Sequence, residues 1–551
     1  MSMPFRLLPL ALVCLAGCPP PWDAPASCLD FDACSTGASS SSTADDTLPT
    51  TSAGDGIQTV TSDSEGSTAP GTETGADTSA STGEPVDVPT IVNFKLSPDP
   101  ITANGPITVD VTTTQATGVR MELDTGEVIE LDPREPGVFT GEIDVLTGLD
   151  NGPKVALLTP WENDVDGVTV PAPYEIALPT PGQQGFWETG DLIGPGQVVA
   201  MGVLPTGEVV ELGTHSPMSE SRCYLRRRDK GGVWGADDLV DLLPGIKCAA
   251  IDMKIDDGGE MFVLVNRQGN DGVRWWLAKI AGWGQDAKNV GLGAKEEIAV
   301  ALAHHDSGMV AVCGTVPTGQ ADAVDAMAQF FRPNIPGGEP RIADYQSGKE
   351  AKPHQFAERT QDCIFMGDTL ALVGEVFGKH DMEMTQRDRL FVAHLDIETE
   401  ASSWTVDTSG VKTQSGARNV DVDDIGRLVV AGYTCDDDCE PEADMRIYDA
   451  RDNLIWQVSL GTFPTKEFAV QDLVWSPAGY AVVATGGMKG NEAAFTVRAF
   501  APSQVGALWT FTHKDLQVLQ TALALAIGRY GEVYAGGLGA NGYPAVAFIA
   551  G

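Results

Sequence analysis

"RNVDVDDIGRLVVAGYTCDDDCEPEADMRIYDARDNLIWQVSLG", Arg418 to Gly461, reads as four short strands. Val420 and Val422 alternate with Asp421 and Asp423, and a turn at Asp424 to Gly426 leads into "RLVVAG". An acidic loop follows, after which "MRIYDA" and "LIWQVSL" alternate again. No helical period separates these strands, so they cannot build a parallel α/β sheet and must pair antiparallel.

The second-strand signal of this unit, a turn glycine followed by apolar residues, recurs along the C-terminal two thirds of the chain. It reads "GEVVELG" at Gly207, "GEMFVLV" at Gly259, "GMVAVCG" at Gly308 and "GDTLALVG" at Gly367. It continues as "GRLVVAG" at Gly426, "GYAVVATG" at Gly479 and "GEVYAGG" at Gly531, with successive glycines 49 to 59 residues apart. Seven copies at a near-constant period mark an array, and four-stranded units of this size build β-propellers. The fourth strand carries a tryptophan in the better copies, at Trp404, Trp456 and Trp509. The last copy stops after its third strand, "AVAFIAG", and the missing tryptophan strand stands before the first copy as "GFWETG" at Trp187. A chain whose N-terminal strand completes its last blade is a closed ring and not an open solenoid, and closure hides the sheet edges. The expected fold is all-β, with a seven-bladed β-propeller over residues 185–551. In repeat period and strand order this region resembles the seven-bladed propeller lipoproteins of Gram-negative bacteria; WD and kelch signatures are absent.

Residues 88–181 read as seven further strands, from "TIVNFKL" to "VTVPAPYEIAL". Their number and spacing, with "FTGEI" at Phe139 to Ile143 and the "LDNGPKV" turn after it, resemble a bacterial immunoglobulin-like sandwich. No cysteine lies between Cys34 and Cys223, so the inter-sheet disulfide of antibody domains is missing. Upstream, residues 19–87 contain no Lys or Arg, and residues 35–87 are mostly Ser, Thr, Gly, Ala and Asp with no aromatic. Such a segment buries too little apolar surface to offset its ordering entropy and is expected to be a disordered tether with an r.m.s. span of about 45 Å.

The first 17 residues carry Arg6 and then the apolar run "LLPLALVCLAG", too short to cross a bilayer and suited to an export signal. The run ends in "LAGC", Leu15 to Cys18, which resembles the lipobox of bacterial lipoproteins. That resemblance implies removal of residues 1–17, a diacylglycerol thioether on Cys18 and acylation of the new amine, several acyl chains being what makes an anchor stable. Pro19, in place of Asp after the lipid cysteine, implies sorting to the outer membrane by resemblance to the enterobacterial pattern.

A formal net charge of -42, from 77 acidic and 35 basic residues, repels polyanions. Nucleic acid and anionic lipid are thereby poor partners, and cations or basic proteins suit the field better. The richest loop is "TCDDDCEPEAD", Thr434 to Asp444. Its Asp436, Asp437, Asp438 and Glu440 are hard oxygen donors of the kind that bind calcium, although the spacing matches no EF-hand. The plainer reading is a solvated loop pinned by a disulfide between Cys435 and Cys439. Eight cysteines besides Cys18 remain after cleavage, an even count that favours disulfides in an exported chain. The local pairs expected are Cys28 with Cys34 and Cys435 with Cys439; Cys223 with Cys248 and Cys313 with Cys363 read either as longer pairs or as buried thiols filling space in a blade.

Other motifs have plain structural readings. "NDVDG" at Asn163 reads as a turn. "DYQSGKEAKPHQFAERTQ" is a locally basic connection with Lys349, Lys352, His354 and Arg359. His304 and His305 occupy a turn position, and "GLGANG" at Gly537 matches G-x-G-x-x-G but has no helix after it. No P-loop, H-E-x-x-H or G-x-S-x-G is present, so no catalytic residue is named. The sequence therefore points to a lipid-anchored envelope protein that binds a protein or glycan on a propeller face. The alternatives are a propeller enzyme (lyase, lactonase or glycan hydrolase) working in the central channel, or an outer-membrane assembly factor. The enzyme needs polar residues from several first strands to converge on the axis.

Overall fold

All seven repeat glycines, Gly207, Gly259, Gly308, Gly367, Gly426, Gly479 and Gly531, have φ between 56° and 85°. This left-handed conformation is open to glycine at no steric cost. Each closes the hairpin between a first and a second strand, as where Gly426 donates its N–H to the Asp423 carbonyl at 3.0 Å. The computed structural model describes residues 88–550 outside a set of loop segments, the longest being 98–105, 229–238, 348–356 and 379–386. Residues 1–87, with Cys18, Cys28 and Cys34, lie outside the described residues, as do Lys349, Lys352, His354 and Asp437 to Cys439.

The described residues open with two packed antiparallel sheets. One has the order β1 (Thr90–Ser97), β2 (Pro106–Thr114), β6 (Val138–Asp144), β5 (Asp132–Glu135). The other has the order β4 (Val128–Glu130), β3 (Gly118–Glu122), β7 (Gly152–Glu162), β8 (Val165–Asp166), with β9 (Val170–Ile176) also paired to β7. Alternation decides the inward face. Ile107, Val109 and Val111 of β2 are buried against Met121, Leu158 and Tyr174 of the opposite sheet. Seven strands were expected here and nine form among the described residues, because the "EVIELDPRE" segment splits into β4 and β5 and "NDVDG" contributes the two-residue β8.

Seven four-stranded sheets follow among the described residues. Their first strands are Gly196–Val203, Cys248–Ile255, Ile298–His304, Ala357–Met366, Gln414–Val422, Asp472–Ser476 and Thr521–Ile527, which define blades 1 to 7. Each first strand lies against the first strand of the next blade, and that of blade 7 lies against that of blade 1. The ring is closed by β10 (Gln184–Thr189), which pairs antiparallel with Pro544–Ile549, the third strand of blade 7. Trp187 stands opposite Ala547, so the displaced tryptophan strand takes the fourth place in the last sheet.

Apolar residues of adjacent blades interlock along every seam. Trp276 and Ala278 pack on Leu212 and Leu225, and Val373 and Val392 on Val430. Fully burying one such side chain contributes about 1.5–3 kcal/mol. Two disulfides cross seams: Cys223–Cys248 joins blade 1 to blade 2, and Cys313–Cys363 joins blade 3 to blade 4. Cys435 is also disulfide-bonded. No helix among the described residues is long and apolar enough to cross a membrane.

Candidate functional site

Polar side chains do converge where first strands meet the axis. Six of the seven first strands shift register by one residue, at Ala250/Asp252, Thr360/Asp362 and Ala417/Asn419 among others. Such a bulge re-aims the side chains that follow it. Asp252, Asp362, Asp421 and Asp472 each accept from the backbone N–H of the next residue and from an N–H of the following blade. Leu302 donates to Asp252 at 2.8 Å, Val420 to Asp362 at 2.9 Å, Trp475 to Asp421 at 2.5 Å and Leu525 to Asp472 at 2.6 Å. The within-blade partners are Met253, Cys363, Val422 and Leu473, at 2.7 to 2.8 Å.

One lysine answers these four carboxylates. Lys254 Nζ stands 3.6 Å from Asp252. Burial pulls its pKa down, but Asp252, Asp362, Asp472 and Asp421 outweigh it and hold the ammonium above the usual lysine range. Burial pushes Asp362 and Asp472 up to about 7, against the pull of Lys254. Burial likewise raises Asp421 to about 6, despite the N–H bonds from Trp475 and Val422. Both oxygens of every carboxylate are committed to backbone, so the ring staples blade to blade and offers a ligand little.

A second cluster has groups to spare. It sits at the seam of blades 4 and 5, at the end of the ring where first strands begin and second strands finish. Glu375 lies on Thr369–Gly378, Asp388 on Arg387–Asp396, and Tyr433 on Leu428–Cys435. Arg418 is the bulge residue of its first strand, and Lys466 lies between blades 5 and 6. Glu375 accepts from the Tyr433 hydroxyl at 3.1 Å and stands 3.3 Å from Arg418 Nη2. Lys466 Nζ bridges Glu375 at 3.5 Å and Asp388 at 3.8 Å. Arg418 also donates to Gln361 at 3.3 Å. The guanidinium of Arg418 and the ammonium of Lys466 lie 5.5 and 5.8 Å from the Tyr433 ring centroid, within cation–π range. Gly416 makes room, since a Cβ there would meet Glu375 Cγ and Tyr433 Cε1 at 2.7 Å.

The two carboxyls of this cluster are driven apart. Burial alone would raise Glu375, but Arg418, Lys466, the Tyr433 hydroxyl and Arg359 together hold it below the usual range. Asp388 is raised, by burial and then by the charge of Glu375. Its Oδ1 is buried with no hydrogen-bond partner among the described residues. Lys466 keeps 31% of its side chain exposed, and Arg359 is exposed at the head of blade 4, so solvent reaches the cluster.

Arg359 is a strand residue and not part of a loop, because the expected basic connection ends at Ala357. Asp436 and Glu440 are exposed at a hairpin end; their calcium partners in the sequence reading, Asp437 and Asp438, lie outside the described residues. Among the described residues no group of three or more His, Cys, Asp and Glu side chains is arranged to hold a metal. His305 sits in its turn, bonded to Ser307 at 2.7 Å. Gly537 lies inside a strand where a Cβ would come within 2.1 Å of the Thr521 carbonyl, which accounts for one glycine of the "GLGANG" motif. Sequence reasoning missed Glu375, Asp388, Arg418, Tyr433 and Lys466. The available signal was Glu375 itself, a charge inside the apolar run "LALVGEVFG".

No family model and no curated protein matches the chain. Among solved structures it is similar to a Bacteroides thetaiotaomicron protein of unknown function, at 10% identity and TM-score 0.36 over 85% of this chain and 100% of that one. It is also similar to a polysaccharide lyase, at 10% identity and TM-score 0.42 over 68% and 93%. A third is an α-L-arabinofuranosidase of Fusarium graminearum, at 10% identity and TM-score 0.34 over 66% and 94%.

Proposed function

We propose that this chain is a lipid-anchored envelope protein, sorted to the outer membrane through Cys18, that uses the propeller as a binding platform. Its ligand is a carboxylate-bearing glycan or polypeptide bound where blades 4 and 5 open. One observation supports this above the rest: in a chain of net charge -42, Arg359, Arg418 and Lys466 gather at one seam beside solvent. An anionic ligand is repelled by most of this surface and has its cationic partners there. Two packed sheets, ordered 1-2-6-5 and 4-3-7-8 with β9 also on β7, support reading residues 88–181 as an immunoglobulin-like spacer module between tether and ring.

Immobilised acidic glycans and acidic peptides, probed with the parent protein and with Arg359→Ala and Lys466→Ala, test the proposal. Binding to one class, lost in both variants and weakened by salt, supports it. Binding that neither variant alters removes the seam from consideration.

Catalysis is the second reading, and one observation favours it. Glu375 and Asp388 are two carboxyls of opposite pKa displacement on either side of one lysine, the pattern of a base and an acid. Mass analysis of the bound ligand after incubation separates the two readings. Cleavage products that vanish in Asp388→Asn mean an enzyme, and an unaltered ligand means a binder.

A further inference from the structure

Three third strands carry an arginine at the same register position. These are Arg226 in blade 1, Arg446 in blade 5 and Arg498 in blade 6, which stand opposite Glu211, Val430 and Val483, the second-strand residues that follow the turn glycines Gly207, Gly426 and Gly479 at the same spacing. In two of them one edge of the guanidinium fork is filled by a carboxylate. Arg226 donates Nε and Nη2 to Glu211 at 3.2 and 3.3 Å, and Arg446 donates the same two nitrogens to Asp444 at 3.1 and 2.8 Å. Glu211 stands directly across the strand pair from Arg226, and Asp444 stands two residues before Arg446.

Blade 6 has neither acid. The residue across from Arg498 is Val483, and two residues before it is Thr496. The arginine is nonetheless 91% buried, being 9% exposed, and its Nε and Nη2 have no acceptor among the described residues. Thr485 lies opposite Thr496, on the face that Arg498 also shares. It is fully buried, and its hydroxyl likewise has no partner. The guanidinium has only the Phe500 ring, 5.8 Å from its centroid. A ring face is a weak counterpart for a buried charge. Burial pulls Arg498 down to about 10, so it remains a cation at neutral pH.

We propose that a small anion, chloride or a short carboxylate such as acetate, binds at the seam of blades 5 and 6. It accepts from Arg498 Nε and Nη2 and from the Thr485 hydroxyl. It fills the place that Glu211 and Asp444 fill in blades 1 and 5. Two parallel N–H bonds on one guanidinium edge suit an anion accepting from both, and the full burial of Thr485 excludes anything large.

The test is the thermal melt of the full chain at fixed ionic strength in sodium chloride, sodium acetate and sodium gluconate, the last too bulky to enter. The parent melts higher in chloride or acetate than in gluconate by about 2 °C or more, as binding to the native state alone requires. Arg498→Met removes that difference while leaving salt effects common to all three. Chloride favoured over acetate identifies a halide site, and the reverse identifies a carboxylate site. Equal melts of the parent in all three salts overturn the proposal, as does a difference that persists in Arg498→Met. Should that variant not fold, Thr485→Val serves instead with the same two readings, and a bromide-soaked crystal must show anomalous density beside Arg498.

Discussion

Gly426 and Gly432 stand six residues apart in one blade and are glycine for different reasons. Gly426 has φ of 80° with nothing within 4 Å of an added Cβ, whereas at Gly432 a Cβ would lie 2.1 Å from the Gly416 carbonyl. Gly426→Ala should therefore cost about 1–2 kcal/mol of backbone strain alone. Gly432→Ala must push two strands apart and should cost more, about 3 kcal/mol or a failure to fold. Paired urea melts decide it, and equal losses contradict the distinction. The staple aspartates make a pH prediction. Asp362 titrates at about 7 in the fold and near the ordinary 3.8 when unfolded, so between those values the native state holds a proton that the unfolded chain has lost. A raised carboxylate contributes stability that is complete below the unfolded value and disappears as pH rises through the folded one. The slope per group is at most about 1.4 kcal/mol per pH unit. Asp362→Asn should flatten the fall in stability between pH 4 and 7, as measured by urea melts across that range. A variant as steep as the parent shows that other groups set the slope.

Strands were legible where one residue type had one job. The turn glycines announced seven hairpins, and the period between them announced the array. The seam cluster was not legible, because Glu375 and Tyr433 are 58 residues apart and meet only through blade packing. The same repeat that made the fold readable hid the site, since a periodic pattern describes what blades share and the cluster is what one seam does not share. The disulfides fall between these cases. Cysteine count predicted pairing, but the register that sets Cys223 against Cys248 belongs to the seam. Each of the two seam disulfides closes a loop, of 25 and 50 residues, and replacing either pair by serine should cost about 3–4 kcal/mol. A loss near zero for both pairs, measured by denaturant melts, would show that packing alone holds the seams. Deleting residues 185–190 should expose the edge of Pro544–Ile549 and cause aggregation, seen by light scattering. A deletion variant that stays monomeric and melts like the parent would refute closure by β10.

For the molecule as a whole, the proposed anchoring makes a prediction of its own. With the lipid anchor proposed on Cys18, Cys18→Ser should move the protein from the membrane to the soluble envelope fraction. Retention on membranes after that change would transfer the anchoring to some other surface. The clasp between β10 and Pro544–Ile549 also fixes the order of events in the making of the protein. The strand that locks the circle is synthesised first and its counterpart last, with six whole blades between. During synthesis β10 must wait unpaired, and until its mate arrives the growing stack of blades is a spring clip and not a ring. A chain broken off anywhere in the last blade would keep both raw edges.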